Sequence, residues 1–185
     1  KLGNWLVDLG FCVVTFDQHG FGQSSHLDDW SLDYFNKNSD DAIRVLDYLK
    51  IGRFGVIGVS EGATIALNLA IRYPERVELV VADSGSYYVT AEMLVVEEDP
   101  DNAWPEPWQC LLNEVHGEAY ASKSQANRRK MLSRLSENKI DLFQGRLTEI
   151  QCPTFLTACT GDIYGLNRQA REMGEIIPNA KVKIF

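Results

Sequence analysis

The 185-residue sequence has few basic residues: 18 Lys and Arg stand against 26 Asp and Glu, a formal net charge of -8. Nucleic-acid binding needs a basic surface that neutralises phosphates, so this balance argues against a nucleic-acid partner. The densest basic cluster is "NRRK" (127–130). Its helical spacing predicts that these charges, with Arg134, form the solvated face of an amphipathic helix. The sequence also lacks a membrane-spanning apolar stretch and a visible signal peptide, so no membrane partner is predicted.

Cysteine and histidine are also scarce, with four and three residues. They show no C-x-x-C pair and no metal-site spacing, so no metal and no cofactor is predicted. Cys152 and Cys159 flank a predicted strand that would hold them about 20 Å apart, which excludes a disulfide bridge between them. For Cys12, Cys110 and these two we expect reduced, buried thiols. We therefore expect a cytoplasmic location or an organelle lumen rather than secretion.

Short apolar runs alternate with helical patterns along most of the chain. Five runs have the length and composition of strands buried on both faces: 11–16, 54–59, 77–84, 153–158 and 181–185. Three patterns have helical spacing: 32–49, with a start signal at Ser39–Asp41, then 63–73 and 167–177. This alternation predicts an α/β fold with a mostly parallel, doubly wound sheet and helices on both faces.

Residues 86–150 break the alternation. They carry no convincing strand, but hold the acidic, proline-rich stretch "EEDPDNAWPEPW" (97–108) followed by helical patterns. We therefore predict a core made of residues 1–85 and 151–185, with residues 86–150 inserted as a helical lid. Open α/β sheets bind ligands at the carboxyl ends of their strands, and such a lid would lie there.

The stretch "GVSEG" (58–62) joins a predicted strand directly to a predicted buried helix. Gly-x-Ser-x-Gly in this setting is typical of a nucleophile elbow, a strained turn that exposes the serine hydroxyl. Gly58 and Gly62 would leave room for the turn. The backbone N–H of Glu61 would face a developing oxyanion at the helix N-terminus. The alternative is a strand–glycine turn in which Ser60 has no chemical role.

The elbow and the loop "FDQHGFGQSS" (16–25) resemble segments of the α/β-hydrolase fold family. The family loop reads Asp-x-Arg-Gly-x-Gly-x-Ser, and His19 stands where arginine is usual. Two further stretches are similar to the valacyclovir-hydrolase (biphenyl hydrolase-like) branch: "SGSYYVTAEM" (84–93) and "RLTEIQCPTFLTACTGD" (146–162). The resemblance covers essentially the whole chain. It implies a serine hydrolase of small esters or amides, and the serine excludes chemistry that needs an aspartate nucleophile.

The resemblance also implies the acid of a Ser-His-Asp triad. Asp162 lies in "CTGD" (159–162), where the family pattern is Gly-x-x-Asp and Cys159 replaces the glycine. It would orient the histidine and stabilise the imidazolium. Because Asp beside Gly is also common in turns, a purely structural role for Asp162 is the alternative.

The histidine itself has no counterpart in the sequence. His19, His26 and His116 all precede Asp162, and the family histidine follows the last predicted strand. The resemblance implies a histidine about five residues beyond the end of the chain, and first strands with a second oxyanion donor before its start. We therefore expect an internal segment of a longer protein, inactive by itself.

Glu61 is a candidate substrate-binding residue. In the branch that the chain resembles, the residue after the nucleophile is acidic and is thought to bind the α-amino group of the substrate, which implies amino-acid esters. A carboxylate there would attract ammonium groups and disfavour anions. The alternative is that Glu61 points away or only caps its helix. Asp83 and Ser84 either line the same pocket or merely end their strand.

Two other functions are compatible with the resemblance. Some plant hormone receptors share this fold and triad, although the charged, proline-rich lid differs from their compact four-helix cap. A truncated, inactive pseudoenzyme is the other alternative. Fold alone does not fix chemistry.

Overall fold

The computed structural model of the protein describes residues 2–98 and 106–185. Its centre is a sheet of four parallel strands in sequence order: Phe54–Val59 (β1), Val77–Asp83 (β2), Thr154–Ala158 (β3) and Ala180–Ile184 (β4). All four strands were predicted to within one residue at each end. Because parallel strands end at the same edge of a sheet, the loops after β1, β2 and β3 meet there.

Helices occupy most of the remaining described chain. Their bounds are Leu2–Asp8 (α1), Tyr34–Tyr48 (α2), Glu61–Arg72 (α3), Ala91–Glu98 (α4), Glu106–His116 (α5), Glu118–Glu137 (α6) and Leu166–Ile176 (α7). Residues Ala63 to Ile71 of α3 are all buried, as predicted for a helix that is apolar nearly all round. Part of the acidic stretch 97–108 lies outside the described residues. The division into core and lid stays a prediction.

The parallel α/β sheet is confirmed, and helices α3 and α7 cover one of its faces. Val80, Ala82 and Leu156 point to that face and are almost fully buried. Side chains of the opposite face are partly open to solvent: Ile57 is 41%, Leu79 43% and Phe155 38% exposed. The sequence predicts a helical layer on each face of the sheet. The described residues form only the layer of α3 and α7, because no other helix among them contacts a strand.

The prediction of a first strand at 11–16 is wrong. The segment is neither helix nor strand, and Phe11 is 60% exposed. A strand exists only where a neighbouring backbone completes its hydrogen-bond ladder, and no described segment pairs with this one. Apolar composition signals burial but cannot supply that partner.

The predicted start of the second helix is also wrong. Helix α2 begins at Tyr34, so Ser39–Asp41 lie within it rather than at its N-terminus. The Ser39 hydroxyl donates to the carbonyl oxygen of Phe35 at 2.9 Å, a bond that fits a helix interior. The signal failed because serine and aspartate can serve tertiary contacts as well as caps.

Asp40 provides such a contact between α2 and the end of α3. Its Oδ1 accepts bonds from the Tyr73 hydroxyl at 2.6 Å and from the Arg72 guanidinium at 2.6 and 3.2 Å. Burial raises the pKa of Asp40, but the bonds from Tyr73 and Arg72 outweigh it and leave that pKa below its ordinary value. The charged form is therefore the stabilising one.

We expect Asp40→Asn to lower the free energy of unfolding by about 1 kcal/mol at neutral pH. A depressed pKa contributes stability above the ordinary carboxyl pKa, and this is lost as the pH falls through the folded-state value. Urea unfolding should therefore show a difference between wild type and variant at neutral pH that shrinks in acid. Asp33→Asn is the control, because Asp33 pairs with Lys37 on the exposed surface and should matter by less than about 0.5 kcal/mol. Equal effects of the two variants would contradict the assignment.

The four cysteines are free, as predicted, but they are not buried as predicted. Cys12, Cys110 and Cys159 are exposed, and Cys152 is partly buried. Cys12 is exposed because its segment is not part of the sheet, and Cys159 lies one residue beyond β3.

Among residues 2–98 and 106–185, no helix combines the length and apolar character that a membrane crossing requires.

Candidate active site

Ser60 lies in a sharp turn between the end of β1 and the start of α3. Its backbone has φ 56° and ψ -122°, a region that side-chain-bearing residues rarely adopt. The Ser60 N–H donates to the carbonyl oxygen of Asp83 on β2 at 2.8 Å, which fixes the turn to the neighbouring strand. Ser60 is exposed. This is the geometry that the elbow prediction for Ser60 requires.

The two glycines around Ser60 have different roles. A Cβ atom on Gly58 would overlap the carbonyl oxygen of Gly62 and lie 2.6 Å from the backbone nitrogen of Ala63. A Cβ atom on Gly62 would meet nothing within 4 Å. The first glycine therefore lets helix α3 approach the strand. The prediction that Gly62 also provides room is wrong.

Two cavities meet at Ser60. The larger, of about 970 Å³, is lined by α5 and α6, by residues 58–62, and by Phe16, Asp17, Gln18, Gly20 and Phe21. The smaller, of about 290 Å³, is lined mainly by apolar side chains, among them Phe35, Val89, Met93 and Leu132. Ser60, Glu61, Arg128 and Tyr164 line both cavities. A molecule in either cavity thus reaches the serine.

Glu61 is the first residue of α3, so its backbone N–H has no preceding helical carbonyl to bond. Its side chain turns toward α6. The Oε1 atom of Glu61 accepts a bond from Nε of Arg128 at 2.6 Å, and each side chain is only 21% exposed. Burial raises the pKa of the nearby Tyr34 phenol, and the negative charge of Glu61 raises it further.

Arg128 is the site residue that the sequence reasoning missed. Its side chain is not solvated, as predicted for "NRRK", but faces both cavities. Arg129 and Lys130 are exposed, and Arg129 also borders the larger cavity. Its position could have been found from helical spacing. Arg128 falls in the stripe of small and apolar residues that α6 buries, at intervals of three and four: Ala121, Ser124, Met131 and Leu135.

Asp162 lies in the loop after β3, at the same edge of the sheet as Ser60. Its Oδ1 accepts bonds from the N–H groups of Tyr164 at 2.9 Å and Leu166 at 3.2 Å, which shape the entry into α7. Among the described residues, Tyr164 lines both cavities but Asp162 lines neither. Asp162 thus has a structural role here, and its catalytic role stays a prediction.

Asp83 is the last residue of β2 and Ser84 follows it, between the strands that lead to Ser60 and Asp162. The Thr157 hydroxyl donates to Oδ1 of Asp83 at 2.7 Å, and Ser84 has a φ of 54°. Neither residue is among the described residues that line the cavities. Their prediction as pocket residues therefore finds no support, and the strand-ending role fits better.

The three histidines lie outside any triad arrangement. His26 stacks on Tyr120 with ring centroids 3.6 Å apart, and His116 packs nearby against Phe21. His19 is 3.9 Å from Asp41 through Nδ1. His116 lines the larger cavity. No hydrogen bond described for residues 2–98 and 106–185 joins a histidine to Ser60 or Asp162, and no group of three or more potential ligands in that part of the chain is placed to hold a metal ion.

Comparison with known proteins identifies the family. A family model described as the alpha/beta hydrolase fold matches residues 1–119. The chain belongs to this family. The human protein named Serine hydrolase BPHL is 29% identical over 117 residues, which are 62% of this chain and 40% of that protein. The Putative carbamate hydrolase RutD of Rhizobium rhizogenes is 26% identical over 176 residues, which are 83% of this chain and 65% of that protein.

The chain thus spans between 40% and 65% of the length of these two curated relatives. Among solved structures of the family, the enol-lactonase from Burkholderia xenovorans LB400 superimposes with a TM-score of 0.65. It is 18% identical in sequence, and the match covers 91% of this chain and 70% of that one. At this identity the likeness establishes the fold and no more.

The loop that resembles the alpha/beta hydrolase family motif is organised by its own side chains. Oδ2 of Asp17 accepts a bond from the Gln23 N–H at 2.8 Å, and the Ser24 hydroxyl donates to the Asp17 carbonyl at 2.6 Å. Gly22 has a φ of 56°, and a Cβ atom there would overlap the Asp17 carboxylate. The motif residues Asp, Gly and Ser therefore hold the loop that forms one wall of the larger cavity.

Proposed function

We propose that the protein is a serine hydrolase of small esters or amides that uses Ser60 as its nucleophile. The observation that carries the proposal is the strained conformation of Ser60, at φ 56° and ψ -122°, at the junction of two cavities. Backbone strain of this kind costs about 1–3 kcal/mol and persists where the surrounding structure enforces it, most often at functional sites. A turn without a chemical role would not require this strained conformation of Ser60.

In the proposed reaction the Ser60 oxygen attacks the substrate carbonyl carbon and its proton passes to a histidine. The oxyanion is stabilised by the Glu61 N–H at the N-terminus of α3. The histidine then protonates the leaving alcohol or amine, and water releases the acid from acyl-Ser60. We place this histidine beyond Phe185, because none of the three within the chain bonds Asp162 or Ser60. The names of the relatives, which include a serine hydrolase and a carbamate hydrolase, agree with this reaction class.

Asp162 is the proposed acid of the triad, and Glu61 the proposed substrate-binding residue. Parallel strands lie about 4.8 Å apart, so the loops after β1 and β3 are separated by roughly 10 Å, enough for an imidazole between Ser60 and Asp162. Asp162 Oδ1 is used by two N–H groups, which leaves Oδ2 for the histidine.

For the cellular location of the protein, we propose the cytoplasm or an organelle lumen. No cofactor is needed by this mechanism.

Asp162→Asn in the full-length protein should lower kcat for p-nitrophenyl acetate by about 10³–10⁴-fold, because the histidine loses its orientation and charge partner. The matched control is Asp83→Asn. Asp83 also ends a strand beside Ser60 but is bonded to Thr157, so a loss below tenfold is expected. A larger loss for Asp83→Asn than for Asp162→Asn would reassign the acid.

Absence of hydrolysis by the full-length wild type across a panel of short-chain esters and amides would instead favour the receptor or the pseudoenzyme. Sequencing the transcript beyond Phe185 separates those two alternatives in part. A histidine within about ten residues keeps the triad possible, whereas a stop codon at that point would remove it.

A further inference from the structure

The carboxylate beside the nucleophile already has a cationic partner within the chain. Arg128 Nε lies 2.6 Å from Glu61 Oε1, and both side chains are about four-fifths buried, at 21% exposure each. A charge-assisted bond of this length in a partly desolvated position is among the stronger polar contacts in proteins. A substrate ammonium group that approached Glu61 would have to displace this guanidinium.

Helix α6 fixes Arg128 in place through a series of contacts on the same face. The Tyr120 hydroxyl donates to the Gly20 carbonyl oxygen and accepts from the Leu27 N–H, both at 2.9 Å. The Asn127 side chain donates to the Asp28 carbonyl oxygen at 2.8 Å. Met131, one turn beyond Arg128, is fully buried. The guanidinium is therefore presented to Glu61 by a helix that is anchored on both sides of it.

The ion pair stands where the two cavities meet. Both of its residues line the large cavity and the small apolar one, as Ser60 does. A pair of opposite charges presents little net charge to a bound molecule, and the small cavity beside it is lined largely by Phe, Val, Met and Leu side chains. An uncharged acyl group can enter without breaking the pair. An ammonium-bearing group meets the guanidinium as well as the carboxylate, and like charges repel.

We propose that Arg128 is a specificity-determining residue which, by occupying Glu61, selects uncharged acyl groups over those that carry an ammonium group. This inference rests on the proposed hydrolase function and narrows its substrate class. Glu61 alone would favour acyl groups that carry an ammonium group. Its pairing with Arg128 of α6 reverses that preference.

The test uses two esters of the same shape in the full-length protein: benzyl alaninate, and benzyl isobutyrate, in which a methyl group replaces the ammonium. At about pH 6.5 the alaninate is largely protonated. The quantity measured is the ratio of kcat/KM for alaninate to that for isobutyrate. We expect wild type to favour isobutyrate, and Arg128→Met to raise the ratio by about tenfold or more because Glu61 becomes free to attract the ammonium.

Two further variants separate the pair from a general effect of charge. Arg134→Met removes one positive charge from the exposed surface of the same helix and should leave the ratio within about twofold of wild type. The double variant Glu61→Gln, Arg128→Met should return the ratio close to wild type, since neither charge remains. A wild-type preference for alaninate, or an unchanged ratio in Arg128→Met, would overturn the proposal. So would an equal rise in Arg134→Met.

A failure of the proposed function gives a different pattern, namely no hydrolysis of either ester by any variant. Binding then replaces turnover as the readout, with alaninamide and isobutyramide titrated against each protein and followed by NMR. The proposal expects Arg128→Met to bind alaninamide about tenfold more tightly than wild type does, with isobutyramide affinity little changed. Equal alaninamide affinities in the two proteins would overturn it.

Discussion

Gly58→Ala should lower the free energy of unfolding by about 3 kcal/mol or more, although it adds a single methyl group. The new Cβ atom would overlap the Gly62 carbonyl oxygen and lie 2.6 Å from the Ala63 nitrogen. Both are backbone atoms of α3, so no side-chain rotation can relieve the contact. Relief would require the helix to move away from β1, and that would also move Ser60. Urea unfolding of the full-length protein measures the loss, and ester hydrolysis should fall together with it.

Gly62→Ala is the matched control, four residues along the same motif. A Cβ atom there meets nothing within 4 Å, and Gly62 lies in the first turn of α3. Replacing a helical glycine by alanine restricts the unfolded chain, so the variant should be as stable as wild type or more stable by about 0.5–1 kcal/mol. Comparable destabilisation by the two variants would show that the helix does not approach the strand closely at Gly58.

Ser60→Ala should reduce ester hydrolysis by about 10⁵-fold or more, because the alanine side chain offers no nucleophile and the reaction cannot proceed through an acyl-enzyme. Its stability should differ little from that of wild type, since alanine suffers the same backbone strain at φ 56°. Ser60→Gly should lose as much activity but exceed Ser60→Ala in unfolding free energy by about 1 kcal/mol, because glycine adopts this conformation without strain. Activity and chemical unfolding of the three proteins give both comparisons.

Ser133 supplies the control for Ser60. It lies in the interior of α6, an ordinary helical position, where glycine is less stable than alanine by about 1 kcal/mol. The order of the glycine and alanine variants should therefore be reversed between Ser60 and Ser133. If Ser60→Gly is less stable than Ser60→Ala, as is expected for the same pair at Ser133, the backbone at Ser60 is not strained. If Ser60→Ala retains hydrolysis, another residue is the nucleophile.

The sheet could be predicted from the sequence because its signals are local. Apolar strands such as β1 and the largely apolar helix α3 can be recognised by their composition, their length and the glycine and proline residues at their ends. The turn at Ser60 has a local signal as well, the Gly-x-Ser-x-Gly stretch between a strand and a helix, and its role as a nucleophile elbow stays a proposal. These positions also carry the clearest resemblance to the family.

The remaining features depend on partners distant in the sequence. The segment 11–16 has the composition of a strand, but a strand requires a neighbour that no local pattern specifies. Arginine is usually a surface residue. Arg128 contacts Glu61, 67 residues earlier in the chain, because of its position on the buried side of α6. Gly62 matched a motif whose second glycine this backbone does not need for space. Tertiary contacts decided the first two cases, and the open space around Gly62 decided the third.

In the proposed hydrolase, the backbone bond from the Ser60 N–H to the Asp83 carbonyl would keep the position of the nucleophile independent of the walls that select the substrate. The serine is held by β1, β2 and α3, whereas much of the cavity wall comes from α5 and α6. Changes in those two helices would therefore leave the backbone of Ser60 in place. If Ser60 is the nucleophile as proposed, we expect relatives of this protein to differ in substrate through changes in α5 and α6, with the turn at Ser60 kept.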